Sequence, residues 1–180
     1  MTSREPDLRA IMAAHILNFG VRRDRAGRLC AAGDGTVPGL PRAAGAKVGV
    51  LLAEARFGEA EAAAVRIVAR YTDKVAGLAR DPGVELVLRD CCWEGGPGHA
   101  NAVLRGGIGL PAGLGLGADV RAAIAAAERS PHGLIRALQG ARRDCAGLIS
   151  ARDEKRWAAV TRLALTLSPR AFRGDGLKVA

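Results

Sequence analysis

The run from Glu85 to Leu104 restricts the fold more strongly than any other stretch of the sequence, because glycine and proline interrupt a helical pattern there. In front of this run, Asp81 and Pro82 supply an N-cap and a proline suited to the first turn of a helix. The segment Gly95–Gly98 then contains a proline that cannot continue a helix. Apolar residues spaced as one helical face precede the break: Val84, Val87, Leu88 and Cys91. The sequence therefore predicts two helices joined by a tight corner.

Helical spacing of apolar residues recurs on both sides of this corner, whereas no segment alternates between apolar and polar residues with period two. The predicted helices cover residues 6–19, 43–55, 58–71, 118–128, 131–149 and 153–167. Residues 21–42 are rich in glycine and proline, which allows at most a small β-hairpin or an extended flap. We therefore predict an all-α, orthogonally packed fold, with a single domain over residues 1–167 and a loose tail over 168–180.

The composition is that of a folded chain with a strong positive charge. Hydrophobic residues make up 49% and charged residues 25% of the 180 positions, as in globular domains. The net charge of +9 favours polyanionic partners such as nucleic acid, anionic lipid surfaces or acidic cell-wall polymers. The basic residues are dispersed and form no recognition-helix pattern, so nucleic acid is the less favoured partner. A solvated, arginine-rich surface is the simpler alternative.

Neither a metal site nor a membrane segment is predicted. The four cysteines, Cys30, Cys91, Cys92 and Cys145, lack the spacing of zinc ligands, and the adjacent pair points in different directions on a helix. We therefore expect free thiols, a reducing compartment at synthesis, and no metal or other cofactor. The first residues have no basic start followed by an apolar stretch, so no signal peptide is predicted. No apolar run is long enough to span a bilayer.

Trp93 and Glu94 stand out at the predicted corner, since Trp93 is one of only two tryptophans in the chain. A large aromatic ring beside a carboxylate on a rigid turn is a surface that a sugar can use. The alternative is that Trp93 covers the core and that Glu94 is solvated, which is the more common arrangement for such residues.

Several short motifs follow one another in an order found in one group of enzymes. They are Asn18-Phe19-Gly20-Val21-Arg22-Arg23-Asp24, Ala32-Gly33-Asp34-Gly35-Thr36, Ala69-Arg70-Tyr71-Thr72-Asp73, Asp81-Pro82, and Leu88-Arg89-Asp90-Cys91 before the corner. This order resembles the lysozyme-like glycosidases of phages and bacteria grouped as glycoside hydrolase family 108, also described as peptidoglycan-domain, holin-associated or secretion-associated N-acetylmuramidases. The resemblance covers about residues 8 to 167.

The resemblance implies a lysozyme-like helical fold and an enzyme that cleaves peptidoglycan between N-acetylmuramic acid and N-acetylglucosamine. Such an enzyme needs a carboxylic acid that protonates the departing glycosidic oxygen. In the family, a glutamate occupies the position of Gly20, and close relatives have an acidic residue at the position of Asn18. General acid catalysis contributes about a hundred- to ten-thousand-fold in rate. We therefore expect the glycosidase activity to be lost or much weakened.

Three carboxylates are candidates for a relocated catalytic group. Glu94 takes the place of an asparagine commonly found in the family's corner, Asp34 matches the aspartate of the family's flap, and Asp24 follows the missing glutamate closely. The plainer alternatives are that Asp34 forms a turn and that Asp24 pairs with Arg22 or Arg23.

The resemblance also suggests how the protein meets its substrate. The predicted substrate-binding residues are Trp93, Arg22, Arg23, Asp90 and Tyr71. The implied partners are peptidoglycan glycan strands, together with a holin, a secretion system or a phage-like particle. We expect synthesis in the cytoplasm and delivery to the periplasm or cell wall, or packaging in a particle, without a signal peptide. Silent glycan binding is the favoured function, an active muramidase using Glu94 or another carboxylate is the alternative, and nucleic-acid binding is the less favoured third.

Overall fold

The structure is a computed structural model that describes residues 7–113 and 117–168. Within these residues the chain forms seven α-helices, one 3₁₀ turn and no β-strand, so the predicted all-α fold is confirmed. The helices are α1 (Leu8–Gly20), α2 (Arg42–Ala53), α3 (Phe57–Thr72), α4 (Pro82–Gly107), α5 (Ala118–Ala127), α6 (Pro131–Cys145) and α7 (Ala151–Leu167), and the 3₁₀ turn Asp73–Val75 follows α3.

The contacts divide the chain into two compact units. The first contains the described residues up to Ala76 together with Arg89–Ala100, and the second contains Gly77–Leu88 together with the described residues from Asn101 onward. Helix α4 contributes to both units. The single domain expected over residues 1–167 stays a prediction.

In the first unit, helix α3 packs against both α1 and α2. Helix α1 begins at Leu8 because the Asp7 carboxylate accepts a hydrogen bond from the Ala10 amide at 3.2 Å. The buried residues at these contacts are Met12, Ile16 and Leu17 of α1, Val48 of α2, and Ala60, Ala64 and Val68 of α3. Small alanines on α3 let its neighbours approach closely, and burial of the larger aliphatic side chains stabilises the unit.

The flap, residues 21–41, is irregular but fixed in place. Its only bridge is an isolated antiparallel pair, Arg23 with Leu29, which matches the expectation of at most a small hairpin. Two glycines one turn apart on α2 receive the flap. If Gly49 carried a Cβ atom, that atom would overlap the Gly35 carbonyl group. A Cβ atom at Gly45 would lie 3.1 Å from the Val37 carbonyl oxygen. The backbone of the flap therefore lies directly on α2, where side chains have no room.

Helix α4 contains the predicted corner. The helical assignment runs from Pro82 to Gly107, but Gly96 inside it has φ 81° and ψ 178°, and Pro97 follows. Two helical segments thus meet at a kink that glycine permits and proline reinforces. The predicted cap is also present, since the Asp81 carboxylate accepts a hydrogen bond from the Val84 amide at 2.9 Å.

The second unit is built around the packing of α6 on α7. The fully buried Arg142 of α6 places its guanidinium 4.7 Å from the centre of the Trp157 ring of α7, a cation–π contact. Helix α6 ends at Cys145, so the expected helix to residue 149 is too long, and Leu148 is fully exposed. Ser150 and Asp153 form a capping box that starts α7 at Ala151 instead.

The end of the described chain is anchored in the second unit. Ser168 is 2% exposed, and its hydroxyl donates a hydrogen bond to Asp81 Oδ2 at 2.7 Å. The loose tail was expected to begin at this residue, which is instead buried. The rest of that tail, residues 169–180, lies outside the described residues.

Candidate functional site

Gly20 and Trp93 are in direct contact within the first unit. Gly20 is the last residue of α1, and Val21 after it is extended. A Cβ atom built on Gly20 lies 2.5 Å from Trp93 Nε1 and 3.3 Å from Trp93 Cδ1. Both distances are shorter than the optimal carbon contact of about 3.5–4.0 Å. The indole of Trp93 therefore fills volume that any side chain at position 20 needs.

The carbonyl group of Gly20 is covered as well. If Gly39 of the flap carried a Cβ atom, that atom would overlap the Gly20 carbonyl oxygen. Gly39 also has φ +95°. This left-handed conformation suits glycine, and the missing side chain lets the two backbones touch. The flap backbone therefore lies directly against the end of α1.

Trp93 belongs to an aromatic cluster with a cation at its edge. The rings of Trp93 and Tyr71 have centroids 5.4 Å apart and an interplanar angle of 86°, an edge-to-face pair. Lys74 Nζ lies 4.7 Å from the centre of the Tyr71 ring. Trp93 and Tyr71 are both partly exposed. The structure thus brings together two of the predicted substrate-binding residues, and Lys74 is a neighbour that sequence reasoning missed.

Glu94 follows Trp93 and lies beside a histidine. Its Oε2 atom is 3.6 Å from His99 Nε2, and the two side chains are 25% and 22% exposed, respectively. This distance is within reach of an ion pair but too long for a hydrogen bond. A Cβ atom on Gly95 lies 2.7 Å from His99 Cβ, so the glycine at this position lets the histidine fold back toward Glu94.

Asp34 and Asp24 stabilise local turns in the flap. Asp34 Oδ1 accepts hydrogen bonds from the Thr36 hydroxyl at 2.7 Å and the Thr36 amide at 3.0 Å, and these bonds lower the pKa of the Asp34 carboxyl. Asp24 accepts hydrogen bonds from the Arg28 amide and side chain, which lower its pKa. The expected partner of Asp24 was Arg22 or Arg23, and the structure corrects this to Arg28.

Arg23, Arg22 and Asp90 have three different environments. Arg23 forms a bidentate ion pair with Glu61 of α3, at 2.6 and 3.1 Å, and also donates to the Gly27 carbonyl oxygen at 2.7 Å. Arg22 is exposed. Asp90 is fully buried and has interaction partners within the fold, so it has no surface to offer a ligand. Of these three predicted substrate-binding residues, Arg22 is the most accessible.

An ion network around one buried arginine was not evident from the sequence. Arg89 is 3% exposed and donates hydrogen bonds to the Thr72 hydroxyl at 3.0 Å and to Asp73 Oδ1 at 3.1 Å. Asp73 also accepts two hydrogen bonds from Arg9 of α1. The bonds from Arg9, and then those from Arg89, lower the pKa of the Asp73 carboxyl. This network joins α1, α4 and the residues after α3 within the first unit.

The described residues contain neither a metal-binding cluster nor a membrane-spanning helix. No group of three or more histidine, cysteine or acidic side chains there is arranged to hold a metal ion. Among the described helices, none is long and apolar enough to cross a membrane. All four cysteines are free thiols.

Comparison of the chain with protein-family models, with curated proteins and with solved structures gives no match in any of the three.

Proposed function

We propose that this protein is a lysozyme-like, peptidoglycan-interacting protein of the N-acetylmuramidase type whose glycosidase activity is lost or much reduced. The observation that carries the proposal is the contact of Trp93 with Gly20. In the family that the sequence resembles, the catalytic glutamate stands at this position. Here the glutamate is absent, and the indole occupies volume next to the backbone. Restoring the acid therefore requires a second change.

The two flap aspartates are poorly suited to replace the missing acid. A general acid must be protonated before it can donate, which needs a raised pKa. Hydrogen bonds to the ionised form lower the pKa of both Asp24 and Asp34. At neutral pH both carboxyls are therefore ionised and cannot donate a proton.

Glu94 supports the alternative of an active muramidase. Its side chain is 25% exposed, although the residue as a whole is exposed. It follows Trp93 directly, and His99 is 3.6 Å away. A relocated acid at Glu94 leaves position 20 itself without a proton donor, so we favour the silent protein.

The proposed glycan surface consists of Trp93 and Tyr71, with Lys74 as the adjacent cation. The exposed Arg22, two residues after Gly20, is proposed as a second cation for the same glycan. Sugar rings pack their C–H faces against aromatic rings, and both rings are partly exposed. Peptidoglycan carries carboxylates, which the net charge of +9 attracts. Both features support binding, and neither requires chemistry.

Co-sedimentation with insoluble peptidoglycan tests the binding, and the turbidity of the same suspension tests hydrolysis. We expect the wild-type protein to pellet with the peptidoglycan without clearing it. Arg22→Gln should weaken the pelleting, whereas the matched control Arg121→Gln, an exposed arginine of α5, should not. Clearing that Glu94→Gln abolishes would establish the active alternative. Failure of the wild type to pellet at low salt would end the proposal.

A further inference from the structure

A cavity of about 720 Å³ opens between α1, α2 and α3 of the first unit. Its volume is in the range of about 300–1,000 Å³ typical of small-molecule sites. Nine of its fourteen lining residues are apolar and the other five are charged. The apolar lining is mostly small, with alanines from all three helices and Val48, Leu51 and Ile67 among the larger residues.

The charged residues around the cavity are strongly unbalanced in sign. Four are basic, namely Arg9, Lys47, Arg66 and Arg70, and only Asp7 is acidic. The Asp7 carboxylate already accepts a hydrogen bond from the Ala10 amide at the start of α1.

Arg9 is also engaged, through its hydrogen bonds to Asp73. The other three cations, Lys47, Arg66 and Arg70, form no ion pair within the part of the chain that the structure describes. Arg66 and Arg70 are one turn apart on α3, where like charges repel each other and a bound anion relieves the repulsion.

The chemistry of the lining excludes a sugar as the natural occupant. A neutral sugar is held best by aromatic rings together with uncharged polar groups, and the lining has neither. Apolar walls favour an aliphatic body, and the three unengaged cations favour an anionic head. This site is separate in composition from the aromatic cluster of Trp93 and Tyr71, none of whose residues lines the cavity.

From this combination we infer that the cavity between α1, α2 and α3 binds a free, single-chain amphiphile with an anionic head, such as a long-chain carboxylate. The aliphatic chain lies along the alanine-rich walls contributed by Ala44 and Ala63, and the head group lies at Lys47, Arg66 and Arg70. The inference is independent of glycan binding and of any glycosidase activity.

Isothermal titration of the full chain with dodecanoate, below its micelle concentration, tests the inference. We expect one dodecanoate to bind, with weaker binding of the uncharged dodecyl maltoside and no binding of the cationic dodecyltrimethylammonium. Exposed ion pairs contribute modestly, so the variant Arg66→Gln/Arg70→Gln should weaken dodecanoate binding about five- to twentyfold. The matched control Arg121→Gln/Arg129→Gln removes the same charge from exposed positions outside the cavity and should bind like the wild type.

A second pair of variants tests the volume of the cavity without changing the charge. Ala63 lines the cavity, whereas the neighbouring Ala62 is exposed and does not. Ala63→Phe should therefore reduce dodecanoate binding, and Ala62→Phe should not. Equal binding by all of these variants would overturn the inference, and so would equal weakening by the control arginine pair. The inference would also be overturned if the wild type does not bind dodecanoate. Binding to vesicles of anionic phospholipid without binding to dodecanoate counts as the same result.

Discussion

The contact between Gly20 and Trp93 makes a quantitative prediction about stability. In Gly20→Ala, the new Cβ atom lies 2.5 Å from Trp93 Nε1, about 1 Å inside the optimal contact distance. The indole packs edge-to-face on Tyr71, and Gly39 of the flap lies against the Gly20 carbonyl group. A shift of either the ring or the backbone therefore disturbs an existing contact. Overpacking of this kind costs about 1–3 kcal/mol.

The same substitution should be harmless once the indole is gone. Trp93→Ala removes the clash, and alanine is then favoured over glycine in a helix by up to about 1 kcal/mol. This gain is smaller at Gly20, which is the last residue of α1. Truncation of a buried tryptophan to alanine typically costs about 3–5 kcal/mol. Trp93 is partly exposed, so Trp93→Ala alone should lower the free energy of unfolding by a smaller amount. The double-mutant cycle should therefore give a coupling energy of about 1–3 kcal/mol.

Urea denaturation followed by far-ultraviolet circular dichroism measures all four free energies of unfolding. Circular dichroism is preferred over fluorescence because the cycle removes one of the two tryptophans. Gly20→Ala should destabilise the wild-type background and be nearly neutral in the Trp93→Ala background. If Gly20→Ala costs the same in both backgrounds, the indole does not occupy the place of the side chain, and the reasoning is refuted.

Three further predictions concern stability and reactivity. Gly140 lies in the interior of α6, and a new Cβ atom there has no neighbouring atom within 4 Å. Gly140→Ala should therefore raise the free energy of unfolding by about 0.5–1 kcal/mol. A decrease in the same urea assay would contradict the open space at this position. Asp73→Asn should cost about 1–2 kcal/mol at pH 7, because the buried Arg89 loses the negative charge beside it, an effect that solvent at the partly exposed Asp73 reduces. The pKa of Asp73 is lowered in the folded state, so this stabilisation is complete above the unfolded pKa and is lost on acidification. The difference in the free energy of unfolding between wild type and variant should therefore shrink from pH 7 to pH 3, and a constant difference would contradict this prediction. Burial raises the pKa of the Cys92 thiol, so Cys92 should react with a thiol reagent only after unfolding, whereas the exposed Cys145 should react in the native protein; rapid native labelling of Cys92 would contradict its burial.

Local signals in the sequence were sufficient for most of the helices. The Asp81 cap and the Gly96-Pro97 break identify the start and the kink of α4, because both effects act within a few residues. The end of α6 was missed although its signal is local too. The apolar spacing continues to Ile149, but the capping box at Ser150 starts α7 as a new helix. Residues 146–150 therefore belong to neither α6 nor α7.

The contacts that define the candidate site could not be predicted in this way, because they join residues distant in sequence. Arg23 was expected to pair locally, but its partner is Glu61, on a different helix. Nothing in the sequence indicates that the indole of Trp93 meets Gly20, because they lie 73 positions apart along the chain. The basic cavity was likewise not evident, because Arg9, Lys47 and the Arg66–Arg70 pair belong to three different helices that come together only through packing.

The most direct test of the central claim combines binding and hydrolysis in one sample. Purified insoluble peptidoglycan is incubated with the protein at high concentration, and the pelleted protein and the newly released reducing ends of muramic acid are measured together. We expect the protein to be in the pellet, and we expect no more reducing ends than in a heat-denatured control. Release of reducing ends by the wild type that Glu94→Gln abolishes would contradict the proposed loss of glycosidase activity.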